Sequence, residues 1–136
     1  MATQIFVNLP VKDLPKSRAF FESMGYSFNP QFSNDQGACL VISDAIYAML
    51  LTEPFFQTFT KKRICDARKD TEVLICLSCE SRTQVDELIA KAVKAGGSTP
   101  NAKQESDFMY SHSFEDLDGH VWELVNMNPN ATPPNS

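Results

Sequence analysis

The sequence predicts an α+β fold built from one plan used twice: a strand, a helix, then three strands. Three observations carry this. Two stretches, one in each half, pass from a strand pattern into a capped helix that a glycine ends. Each helix is followed by three strand-like runs, and a fixed order repeated once points to paired modules. The last two runs of the second half are joined at Asp118-Gly119, a strong hairpin signal.

In the first half, Ile5 to Val11 alternates as a strand. Asp13 can cap a helix that carries Pro15 in its first turn and runs to about Met24, with Leu14, Phe21 and Met24 on its buried stripe. Gly25 ends it. "SFNPQF", "ACLVIS" and "AIYAMLLT" then read as strands, the last two joined at Ser43-Asp44. In the second half, Thr71 to Ser78 reads as a buried strand. Ser81 and Gln84 form a capping box, and Val85, Leu88, Ile89 and Ala92 make a helical stripe that stops at Gly96-Gly97. Strands are expected over Ser98 to Gln104, Phe108 to Glu115 and His120 to Met127. One domain over 1–127 is expected, with modules at 4–53 and 71–127, a linker at 54–70 and a disordered polar tail at 128–136. The linker's Phe55, Phe56 and Phe59 either pack onto the protein or a dimer partner, or form a lid.

Composition narrows the function. The 136 residues are 43% hydrophobic and 21% charged, ordinary for a soluble globular chain. A net charge of −5 argues against nucleic acid or an anionic membrane as partner. No run approaches the ~20 apolar residues of a membrane span, and the first residues lack the basic-then-apolar pattern expected of a secretion signal. Four irregularly spaced cysteines suit reduced thiols in a cytoplasm. Neither a phosphate-binding glycine loop nor a nucleophile elbow is present.

Glu123 is the residue that asks for an explanation. Alternation places it between Val121 and Val125, on the strand face opposite His120, Trp122 and Leu124. A carboxylate in such a place must be paired, protonated, metal-bound or at a wet rim. It could be a structural ion pair, a general base, or an anchor for a polar or cationic ligand. His112 lies on the neighbouring expected strand, sharing a face with Tyr110, and is either packed or the partner of an acid–imidazole pair. His120 reads as structural. Cys76 and Cys79 have a C-x-x-C spacing, but Cys76 lies within a strand rather than at a helix start, which argues against a redox site.

Three stretches resemble the vicinal oxygen chelate superfamily, which groups glyoxalases, bleomycin-resistance proteins and extradiol dioxygenases. "VNLPVKDLPKSRAFFESMGYSF" resembles its opening strand and helix, and "EVLICLSCESRTQVDELIAKAVKAGG" the same unit in its second module. "FEDLDGHVWELV" resembles its closing hairpin. Within the superfamily the chain is most similar to short bacterial proteins labelled predicted lactoylglutathione lyases. The resemblance implies two βαβββ modules whose curled mixed sheets surround a cavity, commonly in homodimers.

Metal-dependent members place one ligand on each of four strands. Those positions fall here on Phe6, Leu50 (with a register open by about one residue), Leu74 and Glu123, so one ligand type of four is kept. One carboxylate cannot hold a divalent ion against water. The expectation is therefore a protein without metal or other cofactor that binds a small, partly apolar molecule. Its contacts would be Asn8, Leu50, Cys76, Tyr110, His112 and Glu123, with Glu123 and His112 catalytic if it is an enzyme. The alternative is a metal-dependent lactoylglutathione lyase-like lyase or isomerase holding Zn, Ni, Mn or Fe on relocated ligands, Glu123 and His112 with Glu53 or Glu72. A third possibility is a structural or regulatory dimer with no small ligand.

Overall fold

The computed structural model describes residues 3–128. Most of the tail expected to be disordered, residues 129–136, lies outside the described residues. The chain forms two compact units, Met1–Asp66 and Ala67–Ser136. Each holds a four-stranded mixed sheet with helices packed on it, an α+β architecture in which neither sheet closes.

In the first unit, β1 (Ile5–Val11) leads into α1 (Leu14–Ser23), whose start is set by Asp13 accepting a hydrogen bond from the Lys16 amide. Gly25 follows with φ 101°, a left-handed value that ends the helix. β2 (Ser27–Asn29), β3 (Gly37–Val41) and β4 (Ile46–Thr52) complete the sheet in the order β1-β4-β3-β2. β1 and β4 run parallel; the other pairs are antiparallel. The expected strand "SFNPQF" stops at Asn29, because Pro30 has no amide for the ladder and opens a 3-10 turn over Pro30–Phe32.

Alternation then divides this sheet's faces. Leu9, Val11, Leu40, Ala48 and Leu50 are buried on the side of α1, which contributes Leu14, Phe20 and Phe21. The other side carries Phe6, Asn8, Tyr47 and Met49. The segment expected as a linker begins with a short helix, α2 (Glu53–Gln57). Its Phe55 meets Phe59 edge to face at 5.2 Å and reaches the backbone of Gly37 beside Leu51. Phe55 therefore packs on its own unit, while Phe59 remains 69% exposed.

The second unit repeats the plan. β5 (Leu74–Ser78) precedes α3 (Arg82–Lys94), capped by Ser81, which accepts from the Gln84 amide. Gln84 Oε1 in turn accepts from the Glu80 amide, so the expected box closes one residue earlier than its usual form. β6 (Gln104–Glu105), β7 (Met109–Glu115) and β8 (Val121–Met127) give the sheet order β5-β8-β7-β6. Val85, Ile89 and Ala92 of α3 bury against the side of Tyr110, Phe114, Trp122 and Leu124.

The expected strand Ser98 to Gln104 is mostly absent. Ser98 makes an isolated bridge to Glu115, and pairing with β7 resumes only where Gln104 meets Ser111. Pro100 lies between them and cannot donate to a ladder. His112 to Phe114 are thus left without a strand partner on that edge among the described residues.

Candidate functional site

The hairpin around Asp118-Gly119 sets the site's register. Asp116, only 6% exposed, organises the turn. One carboxylate oxygen accepts from the amides of Asp118 (2.9 Å) and His120 (3.0 Å), the other from Trp122 Nε1 (3.0 Å). Burial pushes the Asp116 carboxyl up, while His120, Trp122 and the two amides pull it back. Gly119 has φ +89°, and a Cβ there would lie 3.0 Å from the Ala67 carbonyl oxygen. With Trp122 tied to Asp116 and stacked on Phe114 (6.3 Å, 4°), the alternate residues of β8 must point to the sheet's other, open face.

Glu123 is among those alternate residues. On the interior strand β8, it stands opposite Cys76 of β5 on one side and Ser113 of β7 on the other. Leu74, Val121, Val125, Ser111 and Glu115 complete that face by register. The Glu123 carboxylate, half-buried, makes no hydrogen bond or ion pair with any described residue. Burial and then the Glu123 charge push the Cys76 thiol above its ordinary range.

A cavity of about 50 Å³ lies beside Glu123, in the gap where β7's edge lacks a partner. Asn101, Ala102, Gln104, Ser111, His112 and Ser113 line it with Glu123. The side chains of Asn101, Gln104, Ser111 and Ser113 make no hydrogen bond to any described residue, although Ser113 is only 6% exposed. The loop that walls the gap is held by His112, whose Nε2 is 3.2 Å from the Asn101 carbonyl oxygen.

Among the described residues no Lys or Arg borders this cavity. Lys103, on the same loop, turns to the other face of the sheet and lies 5.6 Å from the centre of the Tyr110 ring. Arg82 sits over the same ring at 5.3 Å, pairs with Glu105 at 3.3 Å and donates to the Ser106 carbonyl oxygen. Tyr110 itself, 3% exposed, donates to Asp86 Oδ1 at 2.5 Å, and that bond is the main cause of its raised hydroxyl pKa.

The expected contacts are thus distributed unevenly. Cys76 and Glu123 are neighbours on the open face of the second sheet. Tyr110 and His112 belong to its helix-covered face, so the anticipated acid–imidazole pair is not made: His112 is the register partner of Leu124. In the first unit Asn8 lies on the open face, whereas Leu50 is fully buried opposite Leu9, on the side of α1.

The internal repeat explains the displacement of Leu50. In the second unit Glu123 stands opposite Cys76, two residues beyond Leu74. The same offset from Phe6 in the first unit arrives at Asn8 and its partner Met49, the neighbour of Leu50 within the one-residue register left open. Hydrocarbon and thioether groups at Phe6, Met49 and Leu74 offer no hard donor, so these positions do not fit a divalent ion. Among the described residues no three His, Cys, Asp or Glu side chains converge on a metal position.

Ser111, Ser113, Asn101, Gln104 and Asp116 were not anticipated as parts of the site or its support. The hairpin register carried the signal for the two serines. Counting outward from Asp118-Gly119 with Phe114 facing Trp122 puts Ser113 beside Glu123.

Comparison with solved structures defines the class of fold. A hypothetical protein from S. aureus, SA1046, is 29% identical, with a TM-score of 0.77 over 93% of this chain and 95% of that one. A glyoxalase/bleomycin resistance protein/dioxygenase family enzyme from Burkholderia phytofirmans PsJN is 16% identical, with a TM-score of 0.76 over 93% and 100%. The fosfomycin resistance protein FosX from Listeria monocytogenes is 18% identical, with a TM-score of 0.68 over 95% and 96%. The chain has the glyoxalase/bleomycin resistance protein/dioxygenase fold, that of the vicinal oxygen chelate superfamily. A family described as bleomycin resistance protein-like N-terminal matches residues 3–43, which places the resemblance of the opening strand and helix on sequence as well as fold. No curated protein matches the chain.

Proposed function

We propose that this protein binds a small, partly apolar molecule on the open face of its second sheet, without a metal ion, with Glu123 as the polar anchor. The observation that carries the reading is a half-buried carboxylate on an interior strand with no partner among the described residues. Such a group adds little to stability, since its desolvation is uncompensated. Leu74, Val121 and Val125 supply apolar surface around it, and Ser111 and Ser113 supply hydroxyls. The fold is shared with a protein named for resistance to a small molecule, fosfomycin. Work in the cytoplasm accords with four cysteines that are free of disulfides among the described residues, and a homodimer is part of the same proposal.

Screening small molecules by thermal shift tests the reading, with Glu123→Ala as the control. A stabilising compound should lose most of its effect in that variant; an undiminished shift would place its site elsewhere. Elemental analysis of protein purified without chelator should find far less than one metal per chain. Near-stoichiometric metal would overturn the metal-free part. Light scattering of the eluted protein checks the dimer.

A further inference from the structure

The geometry points to the ligand's polar part being a protonated amine, seated in the edge cavity between Glu123 and the hydroxyls of Ser111 and Ser113. This rests on the open face around Glu123 being a ligand site, and adds the charge and donor pattern of what binds there.

Hydrogen-bonding capacity carries the argument. A carboxylate only accepts, serine hydroxyls each bring acceptor lone pairs, and the amides of Asn101 and Gln104 add an acceptor apiece. All five side chains border the cavity, and none is engaged with a described residue. An ammonium group has three donors and no acceptor, and so matches this lining. At about 50 Å³ the cavity admits such a head group and leaves the rest of the molecule outside.

Charge points the same way. Glu115 shares the open face with Glu123, so its register positions carry two carboxylates and no Lys or Arg. Lys103 and Arg82 are held against Tyr110 on the opposite face. An anionic ligand would meet the repulsion of these carboxylates with no Lys or Arg on this face to offset it, whereas a cation would give Glu123 the partner it lacks. The apolar residues next to the carboxylate, Val121, Val125 and Leu74, would receive the carbon skeleton attached to the amine.

Three probes of one shape separate the possibilities: benzylamine, benzyl alcohol and benzoate, titrated at pH 7 into the full chain while the amide resonances of Cys76, Ser111, Ser113 and Glu123 are followed. Benzylamine should perturb these amides and bind about tenfold or more tightly than benzyl alcohol, the margin of a charge-assisted over a neutral hydrogen bond. Benzoate should leave them unmoved. In Glu123→Gln the preference for the amine should vanish, with benzyl alcohol little changed. Equal or tighter binding of benzyl alcohol or benzoate at these amides would overturn the amine while leaving a ligand site on this face. If none of the three moves them, both readings fail. The wild-type comparison decides the matter even if the variant does not fold.

Discussion

Cys76 and Glu123 are register partners on adjacent parallel strands, so a thiol and a carboxylate share one face of the second sheet. Burial, and then the carboxylate's charge, hold the thiol above its ordinary value. Alkylation needs the thiolate, so Cys76 should react slowly with iodoacetamide at neutral pH although it is exposed. Glu123→Gln removes one of the two causes. The pH–rate profile at Cys76, followed by peptide mass spectrometry, should move to lower pH in that variant; an unmoved profile would mean that the charge is not felt there.

Asp116 holds the closing hairpin through three hydrogen bonds. Asp116→Ala should cost about 3 kcal/mol or more in urea unfolding, because it strands the buried Trp122 N–H and two turn amides. Its pH dependence has a definite sign. A carboxyl raised in the folded state holds its proton more tightly there than in the unfolded chain. Its contribution is therefore present below the unfolded aspartate value and is lost as pH rises through the raised folded value. Asp116→Asn should lower stability and flatten that decline, as urea titrations at stepped pH would read.

Two glycines at positive φ should respond differently to alanine. At Gly119 a Cβ would meet Arg68 Cγ at 2.9 Å and the Arg68 Cα at 3.0 Å, besides the backbone strain. At Gly25, φ +101°, nothing lies within 4 Å, so strain acts alone. Gly25→Ala should cost about 1–2 kcal/mol, and Gly119→Ala more, with the difference reporting how firmly residues 67–68 lie on the turn. Equal costs by thermal denaturation would mean that this segment yields freely.

Tyr110 separates support from recognition. Tyr110→Phe removes the bond to Asp86 but keeps the ring under Arg82 and Lys103. It should lower stability by about 1 kcal/mol and leave any binding at Glu123 unchanged. A large loss of binding would show that ligand is read from the helix-covered face.

The repeated plan, both helix caps and the Asp118-Gly119 hairpin were legible in the sequence because each rests on local chemistry: a capping side chain, a glycine at positive φ, a period of two or of 3.6. Proline changed two elements, since Pro30 and Pro100 each stop a ladder that the apolar pattern would continue. The candidate site was only half legible. Glu123 and Cys76 share a face by register, but Leu50 could be placed only once the helix-covered face was known. Both faces of Leu50's strand look apolar in sequence, so alternation there cannot say which one a helix covers. On β7, by contrast, Ser111, Ser113 and Glu115 mark the more polar face, opposite Tyr110 and His112. Lys103 illustrates the limit. Its neighbours Ala102 and Gln104 line the cavity, yet its charge is spent on the far side of the sheet.

The unpaired stretch of β7's edge has a bearing on descent. Residues 99–103 cross it without joining the sheet, between the Ser98 bridge and the Gln104 pairing. Insertions or deletions there would leave every strand register in place while altering the depth of the opening beside Glu123. Relatives could thus diverge in the bulk of the molecule they accept through changes in one loop's length, with the sheet itself inherited intact.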